Sequence, residues 1–125
     1  MNRPLELAID FDSTVAECDF PRIGKEIEGA TETIKKLKEA GYVIILWTCR
    51  RGEVLDDAVK WLKERGVTPD CVNENSPRNI NNFASVIEKY GEGRKVFADV
   101  YIDDKNIGGF VGWETIRDIL LPYPA

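Results

Sequence analysis

Histidine is missing from all 125 residues of this chain. Its absence removes Ser-His and Cys-His nucleophile pairs and every histidine metal site, so any chemistry falls to carboxylates, Lys, Arg, Ser, Thr or Tyr. Cysteine is scarce: Cys18, Cys49 and Cys71 are an odd count with no C-x-x-C, so free thiols are expected and neither a disulfide framework nor a zinc site. No apolar run approaches the ~20 residues of a membrane helix, and residues 1–7 lack the basic start, apolar stretch and cleavage site of a signal peptide. A cytoplasmic protein with no membrane partner is therefore expected. Positive charge is in deficit, with 17 basic against 22 acidic residues and a net charge of −5. That disfavours a broad nucleic-acid-wrapping face, although it leaves room for a local basic pocket. Repeats, low-complexity tracts and long linkers are absent too, and the length suits one domain spanning residues 1–125.

What the chain does contain is an alternation of strand and helix patterns. Residues 5–10 read as a strand. Residues 43–47, "VIILW", follow Gly41 and form an unbroken apolar run, which suits a strand buried on both faces. Residues 96–102, "VFADVYI", are β-branched and aromatic, and 70–73 form a weaker strand candidate. Between them, 31–40 and 53–65 carry apolar stripes at helical spacing and end at Gly41 and Gly66. Residues 80–90 place Ile80, Phe83, Ala84 and Ile87 on one helical face behind Ser76-Pro77, and 113–120 form a last helix ahead of Pro122. Trp47 and Trp61 are expected in the core, and Trp113 either lines a site or anchors the last helix. Strand-helix alternation predicts a three-layer α/β/α Rossmann-like fold around a central parallel sheet. Ligands in such sheets bind beyond the carboxyl ends of the strands.

Those ends carry the chain's chemistry. The first strand runs into Asp10-Phe11-Asp12-Ser13-Thr14, the second into Thr48-Cys49-Arg50-Arg51 and the last into Asp103-Asp104-Lys105-Asn106. In a parallel sheet all three face one crevice. One such Asp would serve as a helix cap, but four carboxylates together repel one another and raise each other's pKa. A divalent cation relieves that repulsion. Hard oxygen donors beside a substrate phosphate describe a magnesium site, Mg²⁺.

At these residues the chain resembles the haloacid dehalogenase-like phosphohydrolase superfamily. Asp10, Asp12 and Thr14 match its DxDx(T/V) motif. Thr48 closes an apolar strand as in its second motif, and Asp103-Asp104 after "VYI" match its paired acids. The resemblance runs from Leu5 to about Asn106. It implies a phosphatase in which Asp10 is the nucleophile and forms an aspartyl-phosphate. Asp12 is implied as general acid and then base, with its backbone carbonyl also on the metal, and Thr48 as a hydrogen-bond donor to the phosphoryl group. Asp10, Asp12, Asp103 and Asp104 are the implied Mg²⁺ set, with Asp104 favoured over Asp103 as direct ligand. The third-motif cation falls to Lys95, with Arg78 as the alternative. Ser13, Thr14 and Arg50 are expected at the substrate, Arg50 through a bidentate phosphate contact, although an ordinary surface arginine fits that position as well.

Many superfamily members insert a cap domain, for which this chain has no room: residues 13–29 make only a flap-sized loop, and two helices and a strand fill the stretch from Thr48 to Lys95. The capless subclass is implied, with an open site in which Arg22 and Lys25 of the flap are further candidate phosphate contacts. The expected partner is a phosphorylated small molecule or polymer, with nucleic acid not favoured. The competing reading is a receiver-like module that accepts a phosphoryl group and holds it. Receivers carry the phosphorylated Asp on a middle strand, which here ends in Asn73, and they lack a counterpart of Asp12.

Overall fold

A computed structural model describes residues 5–122; most of the stretch read for a leader, 1–4, lies outside the described residues, as do 123–125. The chain forms an α/β Rossmann-like unit. Its order is β1 (Glu6–Ile9), β2 (Ala16–Asp19), β3 (Arg22–Glu26), α1 (Ala30–Glu39), β4 (Val43–Leu46), α2 (Gly52–Glu64), β5 (Cys71–Val72), α3 (Pro77–Asn82), α4 (Ala84–Tyr90), β6 (Val100–Ile102) and α5 (Trp113–Leu120). A four-stranded sheet has the order β5-β4-β1-β6, and every pairing in it is parallel. β1 is thus an inner strand, registered with Leu7 against Ile44 on one side and Val100 on the other. The strand ends carrying Asp10 and Asp103 are therefore adjacent, and the one carrying Thr48 lies on the other side of Asp10. Among the described residues, no helix is long and apolar enough to cross a membrane.

The two faces of the sheet are covered unequally. Leu7, Ile9, Ile44, Leu46 and Ile102 alternate onto one face, where they meet Ile34 and Leu37 of α1, Trp61 and Leu62 of α2, and Trp113, Ile116 and Leu120 of α5 in the main core. Ala8 and Ile45 point to the other face, where Cys71, Val96 and Ala98 make a much smaller cluster, with Val43 and Trp47 packed against it. Trp61 is core as expected, whereas Trp47 is half-buried.

Two elements depart from the sequence reading. The strand expected over 96–102 is formed only by its last three residues, because the chain ahead of them folds back. The Tyr101 hydroxyl donates to the Val96 carbonyl at 2.6 Å and accepts from the Ala98 amide at 3.2 Å, and the Asp99 carboxylate takes the Leu5 and Glu6 amides. The helix expected over 80–90 is broken at Phe83, whose φ of −114° and ψ of 25° end α3 and begin α4. Its apolar face is not core: Ile80 and Phe83 are exposed, and α4 buries none of its residues. The flap is a correction as well, since residues 13–29 hold a β-hairpin, β2-β3, rather than a loop.

Trp113 anchors the last helix. It is 2% exposed, its ring meets Phe110 edge-on at 5.7 Å, and its Nε1 donates to the Thr14 carbonyl at 2.7 Å. This bond fastens α5 to the turn that follows β1. Trp113→Phe keeps a ring in the core but leaves that buried carbonyl unpaired, so it should destabilise the protein by about 1–3 kcal/mol. Urea unfolding should show a lower midpoint with an unchanged m-value.

Candidate active site

Directly after β1 the backbone makes a tight turn: the Phe11 carbonyl accepts from the amides of Thr14, Val15 and Ala16 at 3.2, 2.9 and 3.3 Å. Ser13 takes the left-handed conformation at φ 62° and donates its amide to the Ala16 carbonyl at 2.8 Å. Phe11, Val15 and Ala16 are buried in the main core, so the turn is held from below. Asp10 and Asp12 project from a stiff support as a result.

The carboxylates of Asp10, Asp103 and Asp104 converge, with one oxygen from each lying within 4.8 Å of the others. Burial is the largest cause pushing the Asp10 carboxyl from its ordinary 3.8 to about 7. The charge of Asp103 and the hydrogen bond and charge of Asp104 add to the rise, while a hydrogen bond from the Phe11 amide works against it. Burial also pushes Asp104 upward, but hydrogen bonds from Lys105, Asp10 and Asp103 outweigh it and leave Asp104 below its ordinary value. Asp10 and Asp104 are thus pushed in opposite directions. Three hard oxygen donors in one small space could hold a divalent cation such as Mg²⁺. The Asp12 carboxylate is not among them.

Lys105 touches the trio, with its ammonium donating to Asp104 Oδ2 at 3.1 Å and its amide to Asp103 Oδ1 at 2.9 Å. The sequence places Lys105 at the strand end facing the crevice, but no motif gives it a role. Lys95 contacts Tyr101, two residues ahead of Asp103. Its ammonium lies 4.7 Å from the centre of the Tyr101 ring, beside a depression of about 240 Å³ that Asn75, Asn79, Phe83 and Phe97 also line. Tyr101 and Asp103 do share a sheet face by strand alternation. Arg78 is exposed on α3.

Thr48 is half-buried at the end of β4. Its Oγ1 accepts the Arg50 amide at 3.1 Å, which leaves its hydroxyl proton free to be donated. Asn73 holds this loop from β5, accepting the Thr48 amide at 2.8 Å and donating to the Arg50 carbonyl at 3.2 Å. It does so from a left-handed backbone at φ 53°. The sequence gives little sign of this role beyond an Asn directly behind a short apolar strand.

Two expected substrate contacts are corrected. Thr14 is fully buried, so it cannot meet a substrate; its hydroxyl faces Asp10 Oδ2 at 3.5 Å and props the carboxylate. Arg50 is 1% exposed, and its guanidinium is committed: Nε and Nη2 donate to Asp12 Oδ2 and Oδ1 at 2.9 and 2.7 Å, and Nη1 to the carbonyls of Pro21 and Val54 at 3.2 and 3.0 Å. Arg22 and Lys25 pair with Asp19 and Glu17 within the exposed hairpin. Ser13 alone of the expected contacts in the first turn is exposed at the rim.

A solved structure of a conserved protein coded by a locus of Bacteroides thetaiotaomicron is similar to this chain, with a TM-score of 0.82 and 38% identity over 97% of this chain and 92% of that one. No family model matches the sequence, and a comparison with curated proteins gives no match.

Asp10 also makes the metal-free fold sensitive to pH. Between about 4 and 7 the folded protein keeps a proton on Asp10 that the unfolded chain has lost, so this group's contribution to stability falls as pH rises through that window. Asp10→Asn removes the charge without changing the shape. In EDTA the variant should melt close to wild type below pH 4 and above it at pH 8, with the gain limited to about 1 kcal/mol by solvent screening of this part-open site. Equal melting temperatures at pH 8 would show that the trio bears no such repulsion.

Proposed function

The chain belongs to the family of the conserved Bacteroides thetaiotaomicron protein, and we propose that it is a magnesium-dependent phosphate-monoester hydrolase of the haloacid dehalogenase-like type. The observation that carries this reading is the convergence of Asp10, Asp103 and Asp104 at the end of an inner parallel strand, with Thr48 at the end of the neighbouring strand. A carboxylate nucleophile, a hydroxyl donor and a hard-cation cage are the parts needed to move a phosphoryl group.

In this reading an Asp10 oxygen attacks phosphorus, and the bond from phosphorus to the leaving oxygen breaks. The leaving oxygen takes a proton from Asp12, giving the alcohol and an aspartyl-phosphate. Asp12 then removes a proton from water, the water oxygen attacks phosphorus, and inorganic phosphate leaves with Asp10 restored. The Thr48 hydroxyl donates to a phosphoryl oxygen. Lys95 is the cation we assign to the phosphoryl group, on the sheet face that Asp10 and Asp103 share with Ala8 and Tyr101. Mg²⁺ held by Asp10 and Asp104, with Asp103 beside them and the Asp12 backbone carbonyl completing the set, would neutralise charge on the carboxylates and the phosphate. The substrate is a phosphorylated small molecule or polymer, and the fold does not choose between them.

The test is hydrolysis of p-nitrophenyl phosphate and a panel of phosphate esters. Release should require Mg²⁺, stop in EDTA and fall by roughly 10⁴-fold or more in Asp10→Asn. A folded protein that releases no phosphate from any ester, or an Asn variant with full activity, would defeat this reading.

One observation favours the second reading, a module that holds a phosphoryl group. Both Asp12 oxygens accept from Arg50, which arranges Asp12 as an acceptor rather than as a proton donor. The lifetime of phosphorylated Asp10 separates the two. A hydrolase clears the adduct within its turnover time; an adduct that persists for minutes after excess phosphodonor is removed would assign the chain to phosphoryl storage.

A further inference from the structure

Arg50 is the most heavily engaged side chain of the site. Besides its fork on Asp12 and its bonds to the Pro21 and Val54 carbonyls, the guanidinium carbon lies 5.3 Å from the centre of the Phe11 ring and 5.2 Å from that of Phe20. Phe11 belongs to the core turn, whereas Phe20 sits at the tip of the β2-β3 hairpin and is 63% exposed. A guanidinium taken out of water must satisfy its donors and its charge in place. Here Asp12 supplies the opposite charge, while the hairpin tip and the first turn of α2 supply neutral acceptors. The hydrogen bonds to Asp12 are also the chief influence raising the Arg50 pKa, against its burial.

We propose that Arg50 is a positioning residue that fastens the flap hairpin and the Asp12 carboxylate to one another, so that the hairpin forms a fixed wall of the site where other architectures use a mobile cap. The catalytic half of this inference rests on the phosphohydrolase reading above. The hairpin cannot lift without giving up the Pro21 carbonyl bond and the Phe20 contact, and losing these loosens the fork that aims Asp12. Lysine cannot do the same, because a single ammonium does not present a planar fork to Asp12 while reaching two carbonyls on other elements.

The test compares Arg50→Met, Arg50→Lys and Phe20→Ala with wild type by hydrogen exchange and by steady-state hydrolysis of p-nitrophenyl phosphate. In Arg50→Met the amides of residues 16–26 should exchange about 10-fold faster or more, with those of β1 and β4 unchanged. Its kcat should fall about 100-fold, as expected when a catalytic group is displaced by about 1 Å, while KM stays within about 3-fold. Arg50→Lys should lie between Met and wild type in both measurements. Phe20→Ala, which removes only an exposed ring, should loosen the hairpin several-fold and keeps the inference testable if Arg50→Met does not fold. Unchanged exchange of 16–26 in Phe20→Ala and in whichever Arg50 variants fold would overturn the fastening. A loosened hairpin with wild-type kcat would overturn the link to Asp12, and a raised KM at constant kcat would make Arg50 a substrate contact instead. If wild type hydrolyses no ester, the phosphohydrolase reading and the catalytic half fail together, and exchange alone decides the mechanical half.

Discussion

Three carboxylates held within 4.8 Å of one another at the end of an inner strand repel, and much of the surrounding architecture answers that repulsion. The raised pKa of Asp10, the ammonium of Lys105 on Asp104 and the amide of Phe11 beside Asp10 each answer part of it. None would suffice in a pliable loop, where the acids would simply move apart. What keeps them together is the parallel register of β1 with β6, which brings Asp10 and Asp103 to adjacent positions, and the buried turn beneath Asp10. Main-core packing thus supplies the energy that confines the charges.

The fourth acid of the constellation is neutralised by different means. Asp12 is only two residues from Asp10, yet its carboxylate has its own permanent counter-ion in Arg50. This separates the cluster into a trio of converging carboxylates and a fourth that already has its counter-ion. In the proposed reaction Arg50 sets the orientation of the Asp12 carboxylate, which lies outside the trio. The arginine does more than balance charge. Its remaining donors run to the hairpin and to α2, so the same group that isolates Asp12 ties three parts of the chain together.

Much of this was legible in the sequence, for identifiable reasons. "VIILW" suits a buried strand, and acids directly behind apolar strands come together in a parallel arrangement, so the sheet and the trio follow from local pattern plus topology. The misreadings occur where a residue's role depends on what tertiary structure places above it. Arg50 looks like a surface arginine until the hairpin folds over it, and nothing in residues 13–29 announces that the Pro21 carbonyl will need a donor. Thr14 matches a motif whose hydroxyl suggests a ligand, yet the tight turn drives it beneath Asp10. Residues 96–99 have strand composition, but the Tyr101 hydroxyl and the Asp99 carboxylate claim backbone groups on either side and turn the chain back. The stripe over 80–90 has helical period but meets no deep core, because Val96 and Ala98 already cover that part of the sheet.

The unequal coverage of the two faces bears on how the site works. Side chains at Leu7, Ile9 and Phe11 enter the face packed by α1, α2 and α5, where the turn after β1 is anchored through Trp113 to Thr14. Side chains at Ala8, Asp10, Tyr101 and Asp103 alternate to the opposite, thinly covered face. Asp10 and Asp103 therefore belong to the lightly packed face, while the turn that follows Asp10 is embedded in the heavily packed one. Rigidity and access are normally opposed, since burying a group stiffens it and also closes it off. A parallel strand relieves that conflict by sending consecutive residues to opposite faces: Asp10 stays reachable because its neighbours Ile9 and Phe11 are not.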